Sequence, residues 1–245
     1  MTEKTLPQPT ALIRTVESGP LSASAATLRG EQSHADGSQF YLTPVRVPNL
    51  PVQFAIKRTV DVTSAILGLI VLSPALTAIA VLIKLDSRGP VIVRQLHTGL
   101  NGAPFELLTF RCETENTPRQ PTLDPPFTPL GRFLTRTRLA VLPRLWNVLV
   151  GDLSLIGPRP HVPDMMAAGR SYDGLVRGYE DRNLMRPGLT GLAQTRGLTG
   201  PAGQRWMAIR QIICDADYIR NFSLFLDMKI IFHTAINAVK RQTRF

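Results

Sequence analysis

Two cysteines, four histidines and only five lysines are spread over 245 residues, and each scarcity excludes something. Cys112 and Cys214 lie far apart, with no second Cys or His at ligand spacing, so neither a zinc centre nor a disulfide framework is expected. Two idle thiols in a reducing compartment are the plain reading. The shortage of lysine leaves 23 of the 28 basic side chains as arginine. Arginine presents a planar fork that matches phosphate oxygens, which points to a phosphorylated ligand or lipid headgroups; a compositional bias of the genome is the bland alternative. The formal net charge of +10 suits nucleic acid too, but no recognition motif and no aromatic platform stand among the arginines. The most pointed absence is local. From Arg138 the chain reads RLAVLPRLWNVLV, thirteen residues without an acid, before Gly151-Asp152 and a Gly-Pro-Arg-Pro terminus at Pro160.

Charge divides the chain. Residues 1–50 carry four basic and four acidic side chains, so the whole excess lies between Pro51 and Phe245. The first fifty residues mix Ser, Thr, Ala, Gly and Pro without a sustained apolar period and read as a disordered polar tail. They lack the basic start, apolar core and small-residue cleavage site of a secretory signal. Residues 51–94 are expected to form a membrane hairpin with its flanks, and 95–245 a cytosolic domain.

The 22 residues from Val62 to Ile83 carry no charge. Length alone allows a membrane-spanning helix, since about 20 apolar residues cross the hydrocarbon. Ser73-Pro74 at the centre predicts a bend, because proline removes a donor and crowds the preceding turn. Basic residues on both flanks, Lys57 and Arg58 before and Lys84, Arg88 and Arg94 after, give no inside preference. A helix–break–helix that enters and returns to one face satisfies both features and sets Lys57 and Arg58 at an anionic headgroup layer. A proline-kinked spanning helix competes with it, and a soluble core helix is a third reading.

Beyond the apolar run, Phe225, Met228, Phe232, Ala235 and Val239 recur at helical spacing behind a candidate N-cap, Ser223. That helix could lie in an interface or face a core. Pro143 suits the first position of a helix and Gly151 its end.

Several blocks, in order, resemble the monotopic phosphoglycosyltransferases, bacterial sugar transferases that begin exopolysaccharide, capsule and O-antigen repeat units. They are KRTVD before the apolar run, Ser73-Pro74 within it, KLDSRGPVIVRQ after it, PFELLTFR, LPRLWNVLVGDLSLIGPRP, MRPGLTGLAQTRG and DADYIRNFSLFLDMKIIFHT. The resemblance runs from about Ala55 to Lys240. It implies an α+β fold: a small membrane-associated domain with a re-entrant helix–break–helix and several amphipathic interfacial helices, at the cytoplasmic face of the bacterial inner membrane. It also implies a reaction, transfer of a sugar phosphate from a UDP-sugar to polyprenol phosphate with release of UMP. In that family an Asp attacks the β-phosphate and the adjacent Glu helps to hold Mg²⁺.

This chain departs from the pattern at the reacting atoms. Where the family reads Ser-Leu-Asp-Glu-Leu-Pro-Gln-Leu, it reads RLAVLPRL, which puts Ala140 at the nucleophile and Val141 at the metal ligand. A methyl group has no lone pair for phosphorus, and an isopropyl group cannot coordinate a hard cation. His97 stands where the family has Arg, Thr109 where it has Lys, Arg144 where it has Gln, and Pro126 where it has Arg. Asp152 matches a position already acidic in the family and is no sign of compensation; Glu113 and Glu115 follow the phosphate-side strand and could reach the site, with ordinary exposed loop glutamates as the alternative. No catalytic residue is intact, and the loss expected from deleting a covalent nucleophile is on the order of 10⁴-fold or more.

Recognition is what the resemblance leaves standing. Arg111, Arg159, Arg186 and Gln194 match family positions, and the three guanidinium groups suit a diphosphate. A surface or salt-bridging role is the ordinary alternative for each Arg. Pro158, Pro160, Pro187 and Gly188 read as rigid turns, and His161 and His233 as ordinary polar residues. The expected function is therefore that of a membrane-bound pseudoenzyme or regulator in exopolysaccharide biosynthesis. Its expected partners are membrane lipid, polyprenol phosphate, a UDP-sugar, and an active family member or other assembly protein, without nucleic acid. The alternative is an active sugar-1-phosphate transferase using a displaced acid.

Overall fold

A computed structural model describes residues 28–32, 39–113, 127–167, 169–198 and 205–242. Mixed helix and strand give the expected α+β character. Seven helices are described, α1 (Pro51–Asp86), α2 (Pro129–Arg136), α3 (Arg144–Val150), α4 (Tyr172–Leu175), α5 (Leu192–Thr195), α6 (Arg205–Arg220) and α7 (Leu224–Gln242). The strands are short: β1 (Leu28–Gln32), β2 (Gln39–Leu42), β3 (Ile92–Thr98), β4 (Pro104–Phe110), β5 (Ser154–Ile156), β6 (Met166–Ala167), β7 (Arg170–Ser171), β8 (Val176–Arg177) and β9 (Gly188–Thr190). They pair in four small sheets: β1-β2-β8, the β3-β4 hairpin, parallel β5-β9, and the β6-β7 hairpin.

Helix α1 is 36 residues long, about 54 Å at 1.5 Å per residue. It is no core helix. Ile70 is 64% and Val71 73% exposed, in the most apolar part of the chain. The break expected at Ser73-Pro74 is not a gap: Pro74 lies inside an uninterrupted helical element. Proline at 74 removes the N–H that would serve the carbonyl of Ile70, and the Ser73 hydroxyl donates to that same carbonyl at 2.7 Å. Serine before proline thus supplies a donor for the carbonyl that proline leaves without one.

Both ends of α1 dock against the body while its middle stays bare. On the N-terminal half, Ala65 packs with Leu107, Val148 and Leu153. On the C-terminal half, Ile79 and Ile83 pack with Phe110 and Leu134. Lys57 and Arg58, expected at lipid headgroups, are turned into the protein instead. The Lys57 ammonium is buried and meets Asp227 at 2.7 Å, and Tyr218 donates its hydroxyl to the other oxygen of that carboxylate at 2.7 Å. Burial pushes the Asp227 carboxyl above its usual range, against the pull of Lys57. Arg58 donates to the carbonyls of Val148 at 2.8 Å and Leu149 at 3.0 Å, neutralising the negative end of α3. The physical reason is supply: α1 must be joined to the domain through its polar base, and these are the polar groups it has.

The main core gathers around α6, where Ile212, Ile219 and Tyr218 pack with Tyr172, Leu175, Val176 and Ile156. Leu42 and Val45 belong to that core, so the chain joins the folded body before the expected boundary at Leu50; residues 1–27 and 33–38 of the expected tail lie outside the described residues. Ser223 caps α7 as its position suggested, accepting from the N–H of Leu226 at 3.1 Å. At the described positions the stripe of α7 faces away from the core: Phe225 is 80% exposed, Met228 and Phe232 are each 64%, and Ala235 is exposed as well. Ile230 and Asp227 face the body instead.

Breaking a buried ion pair from one side strands a charge and costs about 3–5 kcal/mol, whereas an exposed pair contributes about 1 kcal/mol or less. Lys57→Met is therefore expected to lower the unfolding midpoint of the detergent-solubilised protein strongly. Arg94→Ala, which removes the exposed 3.1 Å pair with Glu106, is expected to leave it nearly unchanged. Equal shifts for the two would contradict the assignment of Lys57 as the internal tie.

Candidate functional site

The acid-free segment folds as one helical run from Leu139 to Val150. It begins with a 3₁₀ turn, Leu139–Val141, entered through Arg138 in a left-handed conformation with φ of 61°. Pro143 precedes α3 as its N-cap, and Gly151 ends it with φ of 105°, a conformation glycine adopts without strain. The Ala140 methyl packs on the apolar cluster of Ile79, Ile83, Phe110 and Leu134. Val141 is half-exposed at its edge. The side chains at 140 and 141 are hydrocarbon, and that of Ala140 is partly buried against this cluster.

Asn147 fixes this segment to the hairpin. Its amide accepts from the N–H of Leu108 at 3.0 Å and donates to the carbonyl of Glu106 at 2.7 Å, as a missing strand would. It also donates to Asp152 at 3.1 Å, so that acid is engaged in shaping the end of α3. Glu113 forms an isolated antiparallel bridge with Phe127 ahead of α2. Glu115 and Pro126 lie outside the described residues. Thr109 sits on β4 opposite Val93.

The four expected recognition residues have different fates. Arg111 is buried and fully engaged: it donates to the carbonyls of Arg88 and Ser87 and to the Ser87 hydroxyl, all at 2.7 Å. It is a clamp on the C-terminal end of α1. Arg186 is exposed and donates through Nε to the carbonyl of Gly151 at 3.0 Å. Gln194, on α5, has its side-chain carbonyl oxygen buried without a hydrogen-bond partner. Arg159, in the Gly-Pro-Arg-Pro turn, lies in a cationic cluster with Arg144, Arg182, His97 and His161.

Backbone pairing assembles that cluster. The N–H of Thr98 donates to the carbonyl of His161 at 2.9 Å, placing the end of β3 beside the turn. Parallel pairing of β5 with β9 brings Gly157 against Gly188, where a Cβ on Gly188 would stand 2.1 Å from the Gly157 nitrogen. Only glycine permits that approach. Arg182 pairs with Asp215 at 2.9 Å, both fully buried, and also donates to the carbonyl of Arg159 and to His161 Nδ1. Burial pushes the Asp215 carboxyl up to about 6, opposed by Arg182 and by Arg159. Burial, then the Arg159 charge, brings the Arg144 guanidinium down to about 10. Burial also lowers His97, and Arg144 and Arg159 add to the effect while a hydrogen bond to the Gln95 carbonyl opposes it.

His161, Arg182 and Asp215 were missed as a site by sequence reading. They stand 21 and 33 residues apart in the chain, and only the docking of α6 under the Gly-Pro-Arg-Pro turn joins them. His161 Nδ1 also accepts from the Tyr179 hydroxyl at 2.7 Å, which leaves the proton of the neutral ring on Nε2.

Two findings place the chain among known proteins. A family model described as bacterial sugar transferase matches residues 52–241. An exopolysaccharide production protein PSS of Rhizobium leguminosarum bv. phaseoli is 40% identical over 200 residues, covering 79% of this chain and all of the relative. An undecaprenyl-phosphate glucose phosphotransferase of Komagataeibacter xylinus is 40% identical over 73% of this chain and 35% of its own length. A UDP-glucose:undecaprenyl-phosphate glucose-1-phosphate transferase of Escherichia coli (strain K12) is 40% identical over 73% of this chain and 39% of its own. The match thus spans the whole of the first relative and little more than a third of the other two.

Burial, with Arg182, Arg159 and His97 adding to it, holds the His161 imidazole well below its ordinary 6.5. The ring is expected to stay neutral in the folded protein as pH falls through 6.5, with no titration step in its NMR shifts there. The unfolded chain takes up that proton below about 6.5, so His161 subtracts stability as pH falls through that range. Asp215, raised to about 6, acts in the opposite direction. His161→Gln should remove the first contribution and leave the second; a full titration step of His161 near pH 6.5 would contradict the packing described.

Proposed function

Because the chain belongs to the bacterial sugar transferase family, whose pattern its residues 52–241 match, we propose that it serves exopolysaccharide biosynthesis as a membrane-bound member with impaired catalysis. It keeps recognition of a UDP-sugar and polyprenol phosphate and acts as a pseudoenzyme or regulator beside an active family member or another assembly protein. One observation carries this reading: hydrocarbon side chains occupy both dyad positions, while the helix, hairpin and turns around them are well formed. The relatives named for undecaprenyl phosphate and UDP-glucose support the ligand classes. Asp152 is held by Asn147 and offers no substitute nucleophile.

The same reading puts the domain at the cytoplasmic face of the inner membrane, with α1 entering the bilayer and returning to the side it left. Support comes from the way both halves of α1 dock on one body on either side of a bare Ser73-Pro74. The outward Phe225, Met228 and Phe232 of α7 supply apolar surface suited to an interface. Single cysteines at Thr59 and Asp86, both exposed, in a background lacking Cys112 and Cys214, are expected to react with an impermeant maleimide from the cytoplasmic side only. Labelling from opposite sides would rule out the return.

Transfer of radiolabelled sugar phosphate from UDP-glucose to undecaprenyl phosphate tests the catalytic part. The unaltered chain is expected to be at least about 10⁴-fold slower than a form carrying Ala140→Asp and Val141→Glu. Equal rates would sink the pseudoenzyme reading and favour a displaced acid. Inactivity of both forms would refute the claim that the remainder of the site is preserved.

A further inference from the structure

The magnesium ion that the family resemblance implies does not fit this chain. Ala140 and Val141 offer it no oxygen, and among the described residues no group of three or more His, Cys, Asp or Glu side chains could hold a metal. A guanidinium stands in the same helical run. Arg144 opens α3, about one turn beyond Ala140, where the family has Gln. Its Nε is buried without a hydrogen-bond partner, and no described residue forms an ion pair with it. Other arginines of the domain have protein partners: Arg182 meets Asp215 at 2.9 Å, Arg111 donates to Ser87 and Arg88, and Arg58 donates to the carbonyls at the end of α3. An unneutralised guanidinium at low exposure, with the Arg159 charge beside it, is unfavourable until an anion arrives. Arginine is also the side chain that best grips phosphate, through parallel N–H donors.

We propose that Arg144, with Arg159 beside it, holds a phosphate oxyanion of the ligand in the role that the resemblance gives to a divalent metal, so that phosphate binding by this chain is independent of metal. The inference rests on the reading that the chain retains recognition of a phosphorylated ligand. A nucleoside diphosphate and a polyprenyl phosphate present the same oxyanion, and Arg144 serves whichever of the two occupies the turn. A fixed cation at this position binds charge but supplies no nucleophile, which agrees with recognition outliving turnover.

The experiment is calorimetric titration of the full-length chain in lipid nanodiscs, with UDP-glucose in one arm and undecaprenyl phosphate in the other. Each arm is run with magnesium and with EDTA, on the unaltered protein and on Arg144→Gln, which restores the family residue. The expected Kd for at least one ligand differs by less than about twofold between magnesium and EDTA. In Arg144→Gln that ligand is expected to bind about tenfold to a hundredfold more weakly, as loss of a charge-assisted hydrogen bond implies. The arm that weakens identifies the source of the phosphate. Binding abolished by EDTA, or unchanged in a folded Arg144→Gln protein, overturns the inference while leaving ligand recognition intact. Absence of binding by the unaltered chain in every condition overturns the underlying functional reading, and this inference with it. The EDTA comparison on the unaltered protein is decisive even where the variant is unstable.

Discussion

A single buried cation fixes how the apolar helix meets the rest of the molecule. Lys57 lies one turn before Asp61 at the base of α1, and the ion pair it makes with Asp227, completed by the Tyr218 hydroxyl, joins α1 to α6 and α7 at once. Asp61 adds the second tie by accepting from the N–H of Leu155 at 3.0 Å, and Arg58 the third through the carbonyls that end α3. Apolar packing alone could not orient such a helix, because burial is non-directional and α1 is apolar on every side. Directional polar contacts at its base decide which of its faces the hairpin and α3 receive.

That geometry propagates to the presumed site. With α1 held, Ala65 offers a flat surface to α3, and Gly68 admits Leu145, whose Cδ1 would stand 3.2 Å from a Cβ there. Asn147 then fastens α3 to β4, and the Thr98–His161 bridge sets the Gly-Pro-Arg-Pro turn against β3. None of these contacts involves residues 140 or 141. The scaffold contacts traced above therefore do not depend on which side chains stand at 140 and 141.

Much of this was legible in the sequence because it is periodic or locally encoded. The uncharged run, the Ser223 cap, the Gly151 stop and the existence of an apolar stripe on α7 follow from spacing and from single-residue conformational preference, while the direction that stripe faces does not. The partners of charged residues were not legible. Lys57 and Arg58 look like membrane flanks because sequence shows only that they adjoin an apolar run; their acceptors lie 170 and about 90 residues away. Arg111 likewise matches a phosphate-binding position, yet its fork closes on the end of α1. Leu42 and Val45 sit in a short apolar stretch broken by Pro44 and Pro48, too short for periodicity, and only the main core they enter reveals them.

The missing acids and the uncompensated arginine are one electrostatic fact. A carboxylate at 140 or 141 would lie within about a turn of Arg144, close enough for opposite charges to hold each other in the ionised form. With hydrocarbon at both positions, Arg144 has no ion-pair partner among the described residues, and Asp215, the acid buried beside Arg159 and Arg182, is committed to Arg182. Burial first, and the Arg159 charge second, push Arg144 down to about 10. The guanidinium does not lose its proton at neutral pH and stays available to an incoming anion. The substitution that removes the nucleophile thereby turns the same turn of helix into a stronger trap for phosphate.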